Sequence, residues 1–125
     1  MTWQENRAHW RAMATVKNRA HRAREAAKSP AQRDAELRRA RAALLLVEQT
    51  AERTHYGWRI TEAAQGGLVT MLGRVGVTRL SRDTGCSIPT LDRLFCTVRL
   101  ARQRGPLRRI AAYAAALAIP GGGDA

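Results

Sequence analysis

Val77-Thr78-Arg79-Leu80-Ser81-Arg82-Asp83-Thr84-Gly85-Cys86-Ser87-Ile88-Pro89-Thr90-Leu91-Asp92-Arg93-Leu94-Phe95 decides how this chain folds. Thr78 is a cap for a short helix over 79–84, and Gly85 supplies the positive φ that a tight turn between helices requires. Ser87 caps a second helix that carries Pro89 in its first turn, where a missing amide costs nothing. Leu80 and Cys86 are expected to face the core from the first helix and the turn. Leu91, Leu94, Phe95 and Val98 form the buried face of the second helix, and the small Ser81 lets the two approach closely.

Upstream, 60–74 reads as a helix with Ile60, Ala64, Leu68, Met71, Leu72 and Val75 pointing inward, ended by Gly73 and Gly76. Gly66 and Gly67 weaken it by about 1 kcal/mol each, so an irregularity is expected there. Downstream, Arg104-Gly105-Pro106 breaks the chain before an Ala-rich helix over 107–119 and a glycine tail over 121–125. The N-terminal part has a different texture. Thr2 with Glu5 fits a capping box opening a helix over 3–28, along which Trp3, Trp10, Met13, Val16, Ala20, Ala23 and Ala27 draw one stripe. Its other faces carry Arg7, Arg11, Lys17, Arg19, Arg22 and Arg24. Ser29 with Gln32 forms a second box, Pro30 suits a first helical position, and Leu37, Ala40, Leu44, Val47, Ala51 and Trp58 continue a heptad-like seam over 30–55. Two such helices on a tight turn predict an antiparallel hairpin, with Leu44, Leu45 and Leu46 offering apolar surface on neighbouring faces. No convincing strand is found. The fold class is therefore all-α: a basic helical hairpin over 1–58, a small helical bundle over 59–120 and a flexible tail over 121–125.

The chain has 125 residues and a formal net charge of +12, from 22 Lys and Arg against 10 Asp and Glu. Only Lys17 and Lys28 are lysines, so the charge sits almost wholly on guanidinium groups suited to phosphate. Polyanions are the expected partners, nucleic acid ahead of membrane, because no segment pairs a basic face with a bulky apolar one. No apolar run is long enough to span a bilayer, and a cytoplasmic location is expected. Cys86 and Cys96 make no disulfide framework and are read as reduced thiols in packing positions.

The stretch 67–102 resembles the DNA-binding helix-turn-helix of tetracycline-repressor (TetR) family regulators. Gly85, Ser87, Thr90, Leu91 and Phe95 match its Gly-x-Ser-x-x-Thr-Leu-x-x-x-Phe motif, and 67–75 with Gly76 stands where that family has its first helix. The resemblance implies that the second helix of the motif enters the major groove while the first crosses the backbone. It makes Ser87, Ile88, Pro89, Thr90 and Arg93 base-proximal, and Thr78, Arg79 and Arg82 phosphate contacts. Two positions depart from the family: Asp92, which phosphate should repel, stands where the family commonly has an aromatic residue that touches the DNA backbone, and Val98 stands where it commonly has a lysine. Arg93, Arg99 and Arg102 are expected to take over that phosphate work. The family's ligand-binding helical domain is not found after the motif.

Catalytic and metal chemistry find no support. His9, His21 and His55 have no carboxylate or thiol at ligand spacing, and no phosphate-cradling glycine motif follows a strand. Glu48, Glu52, Asp34 and Arg38 read as helix-surface groups, and Trp3, Trp10 and Trp58 as seam packing. The chain is read as a non-enzyme without cofactors that binds double-stranded DNA sequence-specifically, as a small transcriptional regulator or a phage or plasmid accessory factor. It is expected to act as a homodimer built on the hairpin or on 111–117. Two alternatives are a protein partner docked on the N-terminal hairpin and RNA bound by the Arg-rich first helix.

Overall fold

A computed structural model describes residues 2–118, with the side chains of residues 7, 10, 11, 13–18, 21 and 25 outside the description. The expected tail at 121–125 lies outside the described residues, as do the side chains of the stripe positions Trp10, Met13 and Val16, whereas the last helix, expected to run to Ile119, already ends at Ala116 with Leu117 extended. The elements in order are α1 (Trp3–Ala27), α2 (Pro30–Leu45), α3 (Val47–Thr50), β1 (Glu52–Thr54), β2 (Gly57–Arg59), α4 (Glu62–Val75), α5 (Val77–Thr84), α6 (Ile88–Phe95), β3 (Leu100–Ala101) and α7 (Gly105–Ala116). The chain is mostly helical, but it is not free of strands: β1, β2 and β3 form a small antiparallel sheet in that order.

By internal contacts the chain divides into residues 1–33 and residues 34–125. In the first unit both predicted capping boxes form. The Thr2 amide donates to Glu5 Oε2 at 2.9 Å and the Glu5 amide to Thr2 Oγ1 at 3.2 Å, and Ser29 and Gln32 exchange the equivalent pair at 2.8 and 3.2 Å. Every described side chain of α1 is exposed, so Trp3, Ala20, Ala23 and Ala27 do not pack a seam as the periodicity suggested. Trp3 is 71% exposed.

The second unit holds the core. Leu37 and Leu44 of α2 and Val47 of α3 are buried in one cluster with Ile60, Leu68 and Met71, with Leu80, Leu91 and Leu94, and with Leu107 and Ile110 of α7. Residues expected to form the second arm of a separate hairpin therefore belong to the same core as α5 and α6. Leu44 is wholly buried, Leu45 half-buried, and only Leu46 keeps an exposed face.

The predicted long second helix stops early. Helical backbone gives way at Leu46, α3 adds a single turn, and Ala51 is already extended. Beyond it Thr54 Oγ1 donates to the Gly57 carbonyl at 2.9 Å, closing a hairpin whose register pairs Arg53 with Trp58. β3 then pairs with β2 at Trp58↔Ala101. Gly57 is what lets these strands meet, since a Cβ there would lie 2.5 Å from the Ala101 carbonyl oxygen. Trp58 is half-buried, with the guanidinium carbons of Arg53 and Arg104 at 5.3 and 4.9 Å from its ring centroid. Arg104 and Arg108 converge on Glu48 at 2.8 and 3.0 Å, so Glu48 is a half-buried bridge rather than a free surface group.

α4 runs unbroken through Gly66 and Gly67, where an irregularity was expected. Gly67 is buried against α2, where a Cβ would come within 3.0 Å of the Ala40 carbonyl oxygen. Ile60 is buried as predicted but precedes the helix, which Thr61 caps through the Ala64 amide. Pro106 does not break the chain: α7 begins at Gly105 with the proline in its first turn.

Candidate nucleic-acid interface

α4, α5 and α6 pack on one another and build the site. Gly76 alone joins α4 to α5, at φ 80°, and its amide closes α4 by donating to the Leu72 carbonyl at 2.9 Å. α5 starts at Val77 with no side-chain cap, so Thr78 sits inside the helix and is not its cap. At the far end Gly85 is left-handed, with φ 74° and ψ 13°, the conformation expected of it. Three residues, Gly85 to Ser87, then separate α5 from α6.

The turn is held by a dense local network. Thr84 Oγ1 donates to the Leu80 carbonyl at 2.6 Å and accepts from the Cys86 amide at 3.2 Å, while Ser81 Oγ donates to the Cys86 carbonyl at 2.6 Å. Ser81 thus locks the turn as well as allowing close approach. Burial pushes the Cys86 thiol upward in pKa, with Thr84 and the Arg109 charge opposing. Ser87 caps α6 through the Thr90 amide at 3.3 Å.

Two anchors of this arrangement were not legible in the sequence. Gln65 of α4 points its side-chain amide at the carbonyls of Leu94, Phe95 and Cys96 at 3.2, 2.9 and 2.9 Å, closing the C-terminal end of α6. Arg109 of α7 donates to the Gly85 carbonyl at 3.3 Å. Neither residue belongs to a motif, and only the packing of α4 and α7 brings them there.

The base-proximal candidates cluster at the start of α6. Ser87, Ile88 and Pro89 are exposed, Thr90 and Arg93 half-buried. Ser87 Oγ lies 2.8 Å from Thr90 Oγ1, which accepts from Arg93 Nη2 at 3.3 Å. Among the described residues Arg93 Nε is buried without a hydrogen-bond partner. Thr78, Arg79 and Arg82 are exposed on α5, and Arg79 and Arg82 share Asp83 at 3.3 and 4.0 Å.

The downstream candidates sit elsewhere. Arg99 has φ 50°, accepts from the Ile60 amide through its carbonyl at 3.0 Å, and pairs with Glu62 at 3.1 Å. The Arg99 side chain is only 22% exposed. Arg102 is exposed beyond β3, beside Gly57 of the sheet. α6 ends at Phe95, so Val98 is exposed rather than part of its buried face, and Cys96 is an exposed free thiol rather than a packing group.

A groove of about 510 Å³ runs between α5 and α7, lined by Asp83, Thr84, Arg109, Tyr113 and Leu117. Burial first and the Asp83 charge second raise the Tyr113 pKa. Among the described residues no cluster of three His, Cys, Asp or Glu is placed to hold a metal, and no helix is long and apolar enough to cross a membrane. No protein-family profile, curated protein or solved structure matches this chain.

Proposed function

We propose that the protein binds double-stranded DNA through α5 and α6 as a small regulator or accessory factor, with α6 in the major groove and α5 against the backbone. The observation that carries the reading is the α5–Gly85–α6 unit itself. Two eight-residue helices on a three-residue turn are pinned from behind by Gln65 and Arg109, and the start of α6 stays exposed. A rigid mount with an open face is what groove reading requires.

Charge supports the same reading. Residues 34–125 carry 14 Arg against 8 Asp and Glu, a surplus of 6, so attraction to phosphate supplies affinity while α6 selects sequence. One reader helix covers few base pairs, so the working species is a pair of copies on a two-fold site. The exposed Ala112, Ala115 and Ala116 face of α7 allows close approach of a second copy.

RNA binding through the first helix is the second reading. Residues 1–33 hold 8 basic against 2 acidic residues, also a surplus of 6, and the described side chains of α1 are exposed.

Fluorescence anisotropy with duplex DNA and structured RNA at two salt concentrations tests both, with Arg79→Ala/Arg93→Ala beside the wild type. The expected result is duplex binding with a steep salt slope, about 0.9 per phosphate contact, that falls at least about tenfold in the variant. Equal binding by variant and wild type refutes groove binding by this unit. A preference for RNA untouched by the variant favours the first helix.

A further inference from the structure

The exposed face of α6 contains an acidic side chain that the fold does not use. Asp92 is three residues past Pro89 and four past Ile88, so at helical spacing the three share one face, all exposed. Leu91 and Leu94 hold the opposite, buried face. In this arginine-rich unit three other carboxylates are held by arginines: Glu48 by Arg104 and Arg108, Glu62 by Arg99, and Asp83 by Arg79 and Arg82. Among the described residues the Asp92 carboxylate makes neither an ion pair nor a hydrogen bond. Its neighbour Arg93 turns to Thr90 Oγ1 instead, at 3.3 Å. Asp92 lies past the first turn of α6, so it does not cap the helix either.

An unpaired carboxylate on a groove-facing helix meets mostly repulsion. Phosphate oxygens repel it, and so do the acceptor edges of guanine and thymine. The major groove offers it two exocyclic amino donors. That of adenine stands beside the N7 acceptor, whereas N4 of cytosine has no acceptor on its pyrimidine neighbour position, so cytosine is the base a carboxylate satisfies best.

We infer that Asp92 is a specificity-determining residue that selects a cytosine in the DNA facing α6 and weakens binding to sequences lacking it there. The inference rests on the proposed function and names a base for the site that function requires. The carboxylate lowers affinity for DNA in general and returns it only where the amino donor is present, which widens the gap between target and non-target.

The test is selection from a randomised duplex pool with the full chain, as wild type, Asp92→Asn and Asp92→Ala, followed by anisotropy on the selected site and its single-pair variants. Wild type should fix a C·G pair at one position, and replacing that pair should weaken it about tenfold to a hundredfold. Asp92→Asn should move the preference at that position to A·T, because an amide matches adenine, and Asp92→Ala should be indifferent there. Both variants should bind random duplex several-fold more tightly than wild type and unfold at the wild-type temperature. The inference is overturned if Asp92→Ala selects the same pair at every position as wild type. A wild type that holds no duplex DNA sinks the proposed function as well, a result distinct from unchanged specificity.

Discussion

Gly66 and Gly67 are neighbours in α4, and each costs that helix about 1 kcal/mol relative to alanine. Their surroundings give the two alanine substitutions opposite signs. A Cβ at Gly66 meets nothing within 4 Å. At Gly67 it would stand 3.0 Å from the Ala40 carbonyl oxygen, 3.2 Å from Leu44 Cγ and 3.3 Å from Ala40 Cα. Gly66→Ala should therefore stabilise by about 1 kcal/mol, raising Tm by about 4 °C in a unit of this size. Gly67→Ala gains the same backbone term but must push α2 away from α4. Two of its three contacts are helix backbone, which cannot rotate aside, and overpacking of this kind costs about 1–3 kcal/mol. The expected net effect is a loss of about 1 kcal/mol, so the two variants should differ by about 2 kcal/mol. Urea unfolding followed by circular dichroism measures both, with unchanged slopes confirming that the comparison is of stability. A Gly67→Ala protein as stable as Gly66→Ala would refute the close approach of α2 and α4.

Gly85→Ala places a Cβ in a left-handed residue, 3.3 Å from Arg109 Cδ, and should cost at least about 1–2 kcal/mol in the same assay. Gln65→Ala removes the donor shared by three carbonyls and should cost about 1–3 kcal/mol, with faster amide hydrogen exchange confined first to the end of α6. Of the two free thiols, exposed Cys96 should react at once with a disulfide reagent and buried Cys86 only on unfolding; equal rates would contradict the packing of the turn. Because burial raises the Cys86 pKa, the unfolded thiol ionises first. Stability should then be full at neutral pH and decline as pH rises through the ordinary thiol range, a component that Cys86→Ala removes.

The strands show most clearly what a sequence leaves hidden. Two- and three-residue strands are too short to display an alternating pattern, and Leu37 to Ala51 kept a helical spacing that ran straight toward them. The pairing of Trp58 with Ala101, and the close approach of Gly57 to that strand, depend on residues some forty positions downstream, about which local periodicity carries no information. The same holds for Trp3 and Cys96, whose apolar character suggested packing although both side chains are exposed.

The geometry of α5, the glycine turn and α6 was legible because its determinants are local. A left-handed glycine, a serine cap and a first-turn proline each act within a few residues, so α5, the turn at Gly85 and the start of α6 follow from the residues that form them. Both N-terminal capping boxes belong to the same class. Tertiary structure alone decided which residues back the motif. Gln65 on the end of α6, Arg109 on the turn, Glu48 between two arginines, and Gly67 against α2 are contacts between segments far apart in the chain. Such contacts are selected by the joint fit of several helices around one core, and no single segment encodes that fit.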